Sequence, residues 1–262
     1  MRAKTTIDIL ESYPQCKYKC YLQLLGEQGP PSAYEQLMRD TRHCLRLAAR
    51  DALLSQYGAS ENVCHHAATT TLLAQGAPLL WDATLEDERL SVRFDALQRV
   101  PGPSQLGDFH YIPVFVHEAE RPSQPQYSLL ELCGVILGPL QGRMPSYGIL
   151  RHGQDGHARK ITLHPDDRRL GRWLQDMRNL QEGLPPPLIL NRHCQNCEFR
   201  QRCHDEAVAQ DNLSLVRGMG EKEITKYNRR GIFTVTQLSC TFRPRKRWQP
   251  SSHKVGPFLG AL

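Results

Sequence analysis

The chain has 262 residues and a formal net charge of +6; that length can bury the core of one large domain, or of one domain with a small appendage. No apolar run approaches the roughly 18 residues a membrane span needs, and the N-terminus, MRAKTTIDIL, lacks a signal-peptide apolar stretch, so the sequence reads as cytoplasmic. Nine cysteines, an odd number, argue against a disulfide framework and for metal ligation with scattered core thiols.

TIDILESYPQCKYKCYLQLLGE opens as a short helix broken near Pro14 and resumes as a second one. Residues 33–57 have helical periodicity, with apolar positions at Leu37, Leu45, Ala48, Ala49 and Leu53, and the charges on the other face read as solvated. From 67 to 118 the period shortens. TTTLLAQGAPLLWDATLEDERLSVRFDALQRV reads as strands, with a turn at Glu86–Glu88 and a run from Leu90 to Leu97, and FHYIPVFVHEAE reads as another strand. YSLLELCGVILGPLQG is a buried apolar helix, and SYGILRHGQDGHARKITLH a hairpin around Gly153–Gly156. DDRRLGRWLQDMRNLQEG is an amphipathic helix capped by Asp166 or Asp167 and ended by Gly183; LPPPLILN then leads extended into a cysteine cluster. Strands separated by helices define an α/β class.

The cluster is NRHCQNCEFRQRC, residues 191–203, with Cys194, Cys197 and Cys203 in a C-x2-C-x5-C spacing. Thiolates this close bind soft or borderline metals, and both Zn²⁺ and a [4Fe–4S] cluster call for four ligands. The neighbours Gln195, Asn196, Glu198, Arg200 and Arg202 do not look like core. His193 or His204 would complete a local Cys3His zinc site; Cys16 or Cys20 would supply a distant fourth thiolate.

Charge is uneven. Residues 211–262 hold ten Lys and Arg against three acids, a net of +7, so the remainder of a chain totalling +6 carries −1. LSLVRGMGEKEITKYNRRGIFTVTQLS reads as a helix, a Gly218-x-Gly220 turn, a second helix and Gly231. Glycines let a backbone approach a phosphate, helix-start N–H groups donate to it, and Lys222, Lys226, Arg229 and Arg230 supply counter-charge without base specificity. The basic, proline-bearing tail, 243–262, reads as disordered.

A cysteine in a C-K-Y-K setting near the N-terminus, followed late in the chain by C-x2-C-x5-C, resembles the iron–sulfur nucleases of the RecB and AddB type and the CRISPR-associated four-cysteine exonucleases. LILNRHCQNCEFRQRC with the segment that follows it is similar to the RecB-like nucleases that continue into a ribonuclease-H-like domain. The resemblance implies a restriction-endonuclease-like PD-(D/E)xK core over 1–208, stapled by a [4Fe–4S] cluster on Cys16, Cys194, Cys197 and Cys203, with Zn²⁺ as the alternative. It also implies a helix–hairpin–helix-like module over 209–242. The activity implied is Mg²⁺- or Mn²⁺-dependent cleavage of DNA, with RNA as the alternative substrate. Asp95, in LSVRFDAL, matches the metal-binding aspartate. The family's E-x-K falls instead on Phe115 and His117, and its downstream Gln and Tyr on Leu129 and Cys133. Glu118 and Glu120, two apart on a strand and so on one face, would supply a shifted site with His117 nearby. A catalytically eroded nucleic-acid-binding remnant is the alternative to an active nuclease. The ribonuclease-H-like domain is expected to be missing through truncation or frameshift, or to act as a separate partner.

Overall fold

Thr6 is extended, and its hydroxyl accepts the Ile9 N–H, so that helix α1 (Ile7–Ser12) starts directly after the short strand β1 (Thr5–Thr6). Pro14 falls in the break before α2 (Lys17–Leu24), whose N-cap is Cys16. A loop then leads to the long helix α3 (Ala33–Tyr57). These elements belong to a computed structural model that describes residues 3–57, 68–86, 90–164, 168–183 and 185–241. The expected turn beyond Glu86, the cap at Asp166 or Asp167, Cys64 and the basic tail from 243 lie outside the described residues.

The threonine-rich stretch expected as strand is helical instead: α4 (Thr70–Ala74) is capped by Thr69, whose hydroxyl accepts the Leu72 N–H. A β-branched run resembles strand in composition, but a capped turn satisfies the same backbone donors locally. Strands β2 (Leu79–Trp81), β3 (Thr84–Glu86), β4 (Leu90–Arg93), β5 (Ala96–Ser104) and β6 (Gly107–His117) follow. Then come α5 (Gln124–Gln141), the hairpin β7 (Tyr147–His152) and β8 (His157–Thr162), α6 (Arg168–Glu182) and α7 (Arg200–Ala209). One sheet has the order β1-β4-β3, the other β2-β5-β6-β7-β8. Pairs β1/β4 and β6/β7 are parallel and the rest antiparallel, so both sheets are mixed and the chain is a mixed α/β protein.

Strand β6 explains the layering. Its run from His110 to His117 is buried without a break, as expected of a strand covered on both faces. Val114 and Val116 pack with Ala96, Leu79 and Trp81 against Ala49 and Leu53 of α3. Phe115 joins Leu129, Leu130 and Leu132 of α5 in a second cluster, and Tyr111 joins Cys133 and Leu137 of α5 in a third. Each such fully buried apolar side chain contributes roughly 1.5–3 kcal/mol. Residues 129 and 133, where the resemblance expects a Gln and a Tyr facing a strand break, are therefore core. No helix among the described residues is long and apolar enough to cross a membrane.

By its contacts the chain divides into two compact units, Met1–Glu206 and Ala207–Leu262. In the second, the helix expected before the Gly218-x-Gly220 turn is only a 3-10 turn, Leu213–Leu215, capped by Asn212. Helices α8 (Glu221–Asn228) and α9 (Val235–Thr241) follow, joined through Gly231 at φ 77.

Gly29 lies on the loop between α2 and α3. A Cβ there would stand 2.3 Å from the Glu198 carbonyl oxygen, which is backbone and has no rotamer to yield. Only glycine permits this approach of the α2–α3 loop to the cysteine segment. Gly29→Ala is expected to cost about 1–3 kcal/mol through overpacking, read as a lower midpoint in chemical denaturation; an unchanged midpoint would show that the loop yields freely.

Candidate functional site

Three features stand out: a set of thiols, a cluster of carboxylates spanned by arginines, and an exposed basic helix in the second unit.

Cys16 ends the loop before α2, and its Sγ accepts the Lys19 N–H at 3.4 Å. Asn191 caps a 3-10 turn over Arg192–Asn196, which presents Cys194; the Asn191 N–H meets Cys194 Sγ at 3.3 Å. The chain extends at Cys197, and α7 begins soon enough to place Cys203 in its first turns. These four thiols are electrostatic neighbours. Burial pushes Cys203 up to about 12, followed by the charges of Cys197, Cys16 and Cys194. Cys197 is pushed up to about 11, with burial first and Cys16 among the lesser causes. Cys16 is raised likewise, by burial first, with Cys194 contributing. Backbone N–H groups directed at sulfur stabilise thiolates in metal sites, and Cys16 and Cys194 each receive one here. Among the described residues the three ligand atoms lying within 4.8 Å of one another belong to Glu35, His193 and Cys197, so the four thiols are neighbours and not a closed ligand set.

Cys20 feels the charge of Cys16 but of no other thiol in the set. It is fully buried in the core, with Sγ 3.6 Å from Met177 Sδ. His204 is exposed beside Asp205. His193 is different: its Nε2 is buried without a hydrogen-bond partner among the described residues. Glu35, His193 and Cys197 each offer a ligand atom within 4.8 Å of the others. Glu35, however, is already held by Lys19 Nζ at 2.7 Å, and Lys19 also reaches Glu198 at 3.6 Å. This lysine, the last residue of the C-K-Y-K run and assigned no role from the sequence, is buried and ties α2 both to α3 and to the cysteine segment. Asn191 Nδ2 to the Gln15 carbonyl (3.1 Å) and Gln23 to Glu198 (2.9 Å) reinforce the same junction.

The carboxylates lie at one end of the larger sheet. Asp95 sits just before β5, and Glu118 just after β6, its antiparallel neighbour. Asp95 is buried; one oxygen accepts Arg46 Nε at 2.6 Å and the other the Val116 N–H at 2.7 Å. Burial raises its pKa, and Arg46 and the Val116 bond oppose that. Glu118 receives a two-pronged contact from Arg42, with Nε at 2.6 Å and Nη2 at 3.0 Å. Burial disfavours the Glu118 charge, but the Arg42 bonds and charge prevail and hold its pKa below the ordinary value.

Arg42 Nη1 also reaches Glu11, 2.8 Å away. Burial carries Glu11 up to about 7 against the pull of Arg42. Arg46 reaches Asp82 as well, at 3.1 Å, and Arg93 pairs with the same aspartate. Asp82 adopts φ 59, a conformation uncommon outside glycine and most tolerated by Asp and Asn. A cleft of about 980 Å³ is lined by residues including Glu11, Arg42, Arg46 and Glu118.

Two expected roles fail here. Strand β6 ends at His117, so the period-2 argument placing Glu118 and Glu120 on one face does not apply. Glu120 turns away and accepts the Gln154 N–H in the β7–β8 turn. His117 Nδ1 accepts the Ala119 N–H at 3.0 Å, while its Nε2 faces two donor groups, Arg42 Nη2 at 3.3 Å and Gln126 Nε2 at 3.4 Å. Burial pushes His117 down to about 4. Both ring nitrogens are thus engaged by protein groups, which argues against a role in deprotonating water.

Arg42 and Arg46 were missed because the polar face of α3 reads as solvated. The available signal was their i, i+4 spacing within the row Arg39, Arg42, Arg46 and Arg50 on one helix.

In the second unit Lys222, Lys226, Arg229 and Arg230 are all exposed. Gly218 stands at φ 82 in open space. One donor at each helix start is already occupied. The Gly220 N–H is bound by Glu223 at 3.2 Å, and the Thr236 N–H at the head of α9 by Asp211 at 2.9 Å. Those two donors are not open to a phosphate, and the exposed side-chain charges are the counter-charge that remains.

Fold and site together define a mixed α/β protein with a four-thiol junction and an arginine-spanned acidic cleft. No family model and no curated protein matches the chain. Among solved structures, that of a protein called SSO0001 is 14% identical, covers 75% of this chain and 83% of its own, and superposes with a TM-score of 0.37. A likeness of that size carries nothing further about this chain.

Proposed function

We propose that this chain is a nucleic-acid-binding protein built on a RecB-like nuclease scaffold. Cys16, Cys194, Cys197 and Cys203 hold a [4Fe–4S] cluster, or Zn²⁺ as the alternative, and the carboxylate cluster does not cleave. The observation that carries the reading is the row Lys222, Lys226, Arg229 and Arg230: four exposed cations with no acidic partner among the described residues. Exposed cations of this kind bind phosphodiesters through counterion release, without reading sequence. The cluster's part is structural, as it would join the α2 end of the chain to the α7 end.

The competing reading is metal-dependent cleavage, favoured by the placement of Asp95 and Glu118 at the same end of neighbouring strands. Against it, a divalent cation does not fit the carboxylates as they stand. Both oxygens of Glu118 are taken by Arg42, and those of Asp95 by Arg46 and a backbone N–H.

One experiment separates the two. Labelled single- and double-stranded DNA is titrated with protein over a range of salt, then incubated with Mg²⁺ or Mn²⁺. Binding without cleavage is expected. Changing all four cations to glutamine should weaken binding to every sequence alike, and flatten the slope of log K against log salt by about 0.9 for each duplex phosphate that is no longer neutralised. An unchanged slope would sink the binding assignment. Cleavage abolished by Asp95→Ala would make the protein a nuclease.

A further inference from the structure

The arginines of α3 carry more than an ordinary surface pair. Arg42 uses Nε, Nη1 and Nη2 on two carboxylates, Glu118 and Glu11, and Arg46 bridges Asp95 and Asp82. They stand one helical turn apart on one face. Together they bring a charge of +2 into the space among Glu11, Asp95 and Glu118, which is the charge of a single divalent cation.

We propose that Arg42 and Arg46 are a built-in substitute for a divalent cation, closing a carboxylate site that would otherwise take an oxygen-preferring ion such as Mg²⁺ or Mn²⁺. The geometry excludes sharing. Mg²⁺ needs its oxygens at about 2.0–2.1 Å. Here the carboxylates are spread around planar guanidiniums at 2.6–3.1 Å, with both oxygens of Glu118 and of Asp95 already committed. An arginine, unlike a bound ion, neither dissociates nor loses its proton in the range where proteins work. The site is therefore closed at every metal concentration. One acceptor is left over, Glu11 Oε1, buried and without a hydrogen-bond partner among the described residues. That oxygen is where a cation would gain a further ligand if Arg42 were absent.

The test does not involve nucleic acid, so it stands apart from the binding and cleavage assays. Mn²⁺ is titrated into the holoprotein and its free-ion EPR signal recorded, for wild type and for Arg42→Met, Arg46→Met and Arg42→Met with Glu118→Gln. Methionine keeps the unbranched stem of the side chain and removes the guanidinium with its charge. Wild type should leave the signal undiminished. Each single variant should remove one Mn²⁺ per chain from it, and adding Glu118→Gln should restore it. The melting temperature of each single variant should fall and then recover with Mn²⁺, while that of the wild type stays level. A variant that folds only with Mn²⁺ present also supports the substitution. The proposal is overturned if wild type takes up Mn²⁺ in a manner lost with Glu118→Gln. It is equally overturned if both single variants fold without binding Mn²⁺, or neither folds nor is rescued by it.

Discussion

Cys16→Ser should strip the bound metal from the protein and lower its melting temperature sharply, while Cys20→Ser should leave the metal bound and lower the melting temperature less. Both residues lie at the start of the same short helix, four positions apart, so the comparison is stringent. Cys16 feels Cys194, and Cys197 and Cys203 both feel Cys16, across more than 170 residues of sequence. Cys20 lies in the hydrophobic core against Met177. Metal ligation feeds directly into folding free energy, about 10–16 kcal/mol for small structural zinc sites at neutral pH. Loss of one ligand from four need forfeit only part of that to matter. For a chain of this size, about 4 kcal/mol lowers the melting temperature by roughly 8–16 °C. A hydroxyl placed in the Cys20 site costs about 1–3 kcal/mol as a poorly paired buried polar group. The measurement is iron and zinc content with the absorption spectrum of anaerobically purified protein, followed by thermal denaturation. A brown protein with a broad band near roughly 400 nm identifies an iron–sulfur cluster; stoichiometric zinc without iron identifies the alternative. Metal retained in Cys16→Ser and lost in Cys20→Ser would show the ligand set to be misassigned.

What could be read from the sequence follows from which signals are local. Helix 33–57, the apolar helix that became α5 and the hairpin at Gly153–Gly156 are set by periodicity and turn chemistry within one segment, and all three appear at the expected places. The C-x2-C-x5-C spacing is local too. The carboxylate cleft is not. Arg42 meets Glu118 across 76 residues, and Arg46 meets Asp82 across 36. A charge that faces solvent and one that faces a distant acid have the same composition and the same spacing on a helix. Glu118 and Glu120 failed differently: alternation predicts a shared face only while the strand lasts, and β6 stops at His117. The acids at the helix starts of the second unit, Glu223 and Asp211, were visible, yet only the hydrogen bonds show that each takes a backbone donor there.

The junction around the thiols holds a further charge whose removal should be costly, and the pH dependence of that cost identifies its origin. Lys19→Met is expected to destabilise the protein by about 3–5 kcal/mol at neutral pH, the range for removing one partner from a buried ion pair. Lys19 Nζ lies 2.7 Å from Glu35 and 3.6 Å from Glu198, and all three side chains are at most 11% exposed. Methionine matches the stem of lysine, so packing is largely kept and two carboxylates lose their cation. In the wild type, burial disfavours the Glu35 charge, yet the bond from Lys19 and other hydrogen bonds hold its pKa below the ordinary value. A depressed carboxylate adds stability above its unfolded pKa and loses it as pH falls through the folded one. Without Lys19 the effect of burial is left less opposed and the folded pKa of Glu35 rises. If it passes the unfolded value, the variant gains stability as the carboxylate is protonated and loses it as pH rises. The gap between wild type and Lys19→Met should therefore be widest at pH 7–8 and narrow toward pH 4, where Glu35 takes up its proton more readily in the variant than in the wild type. Urea denaturation of the two proteins at pH 4, 6 and 8 measures it. A gap of the same size at all three values would mean that Lys19 acts through its aliphatic stem, and that its charge contributes nothing to holding α2 against the cysteine segment.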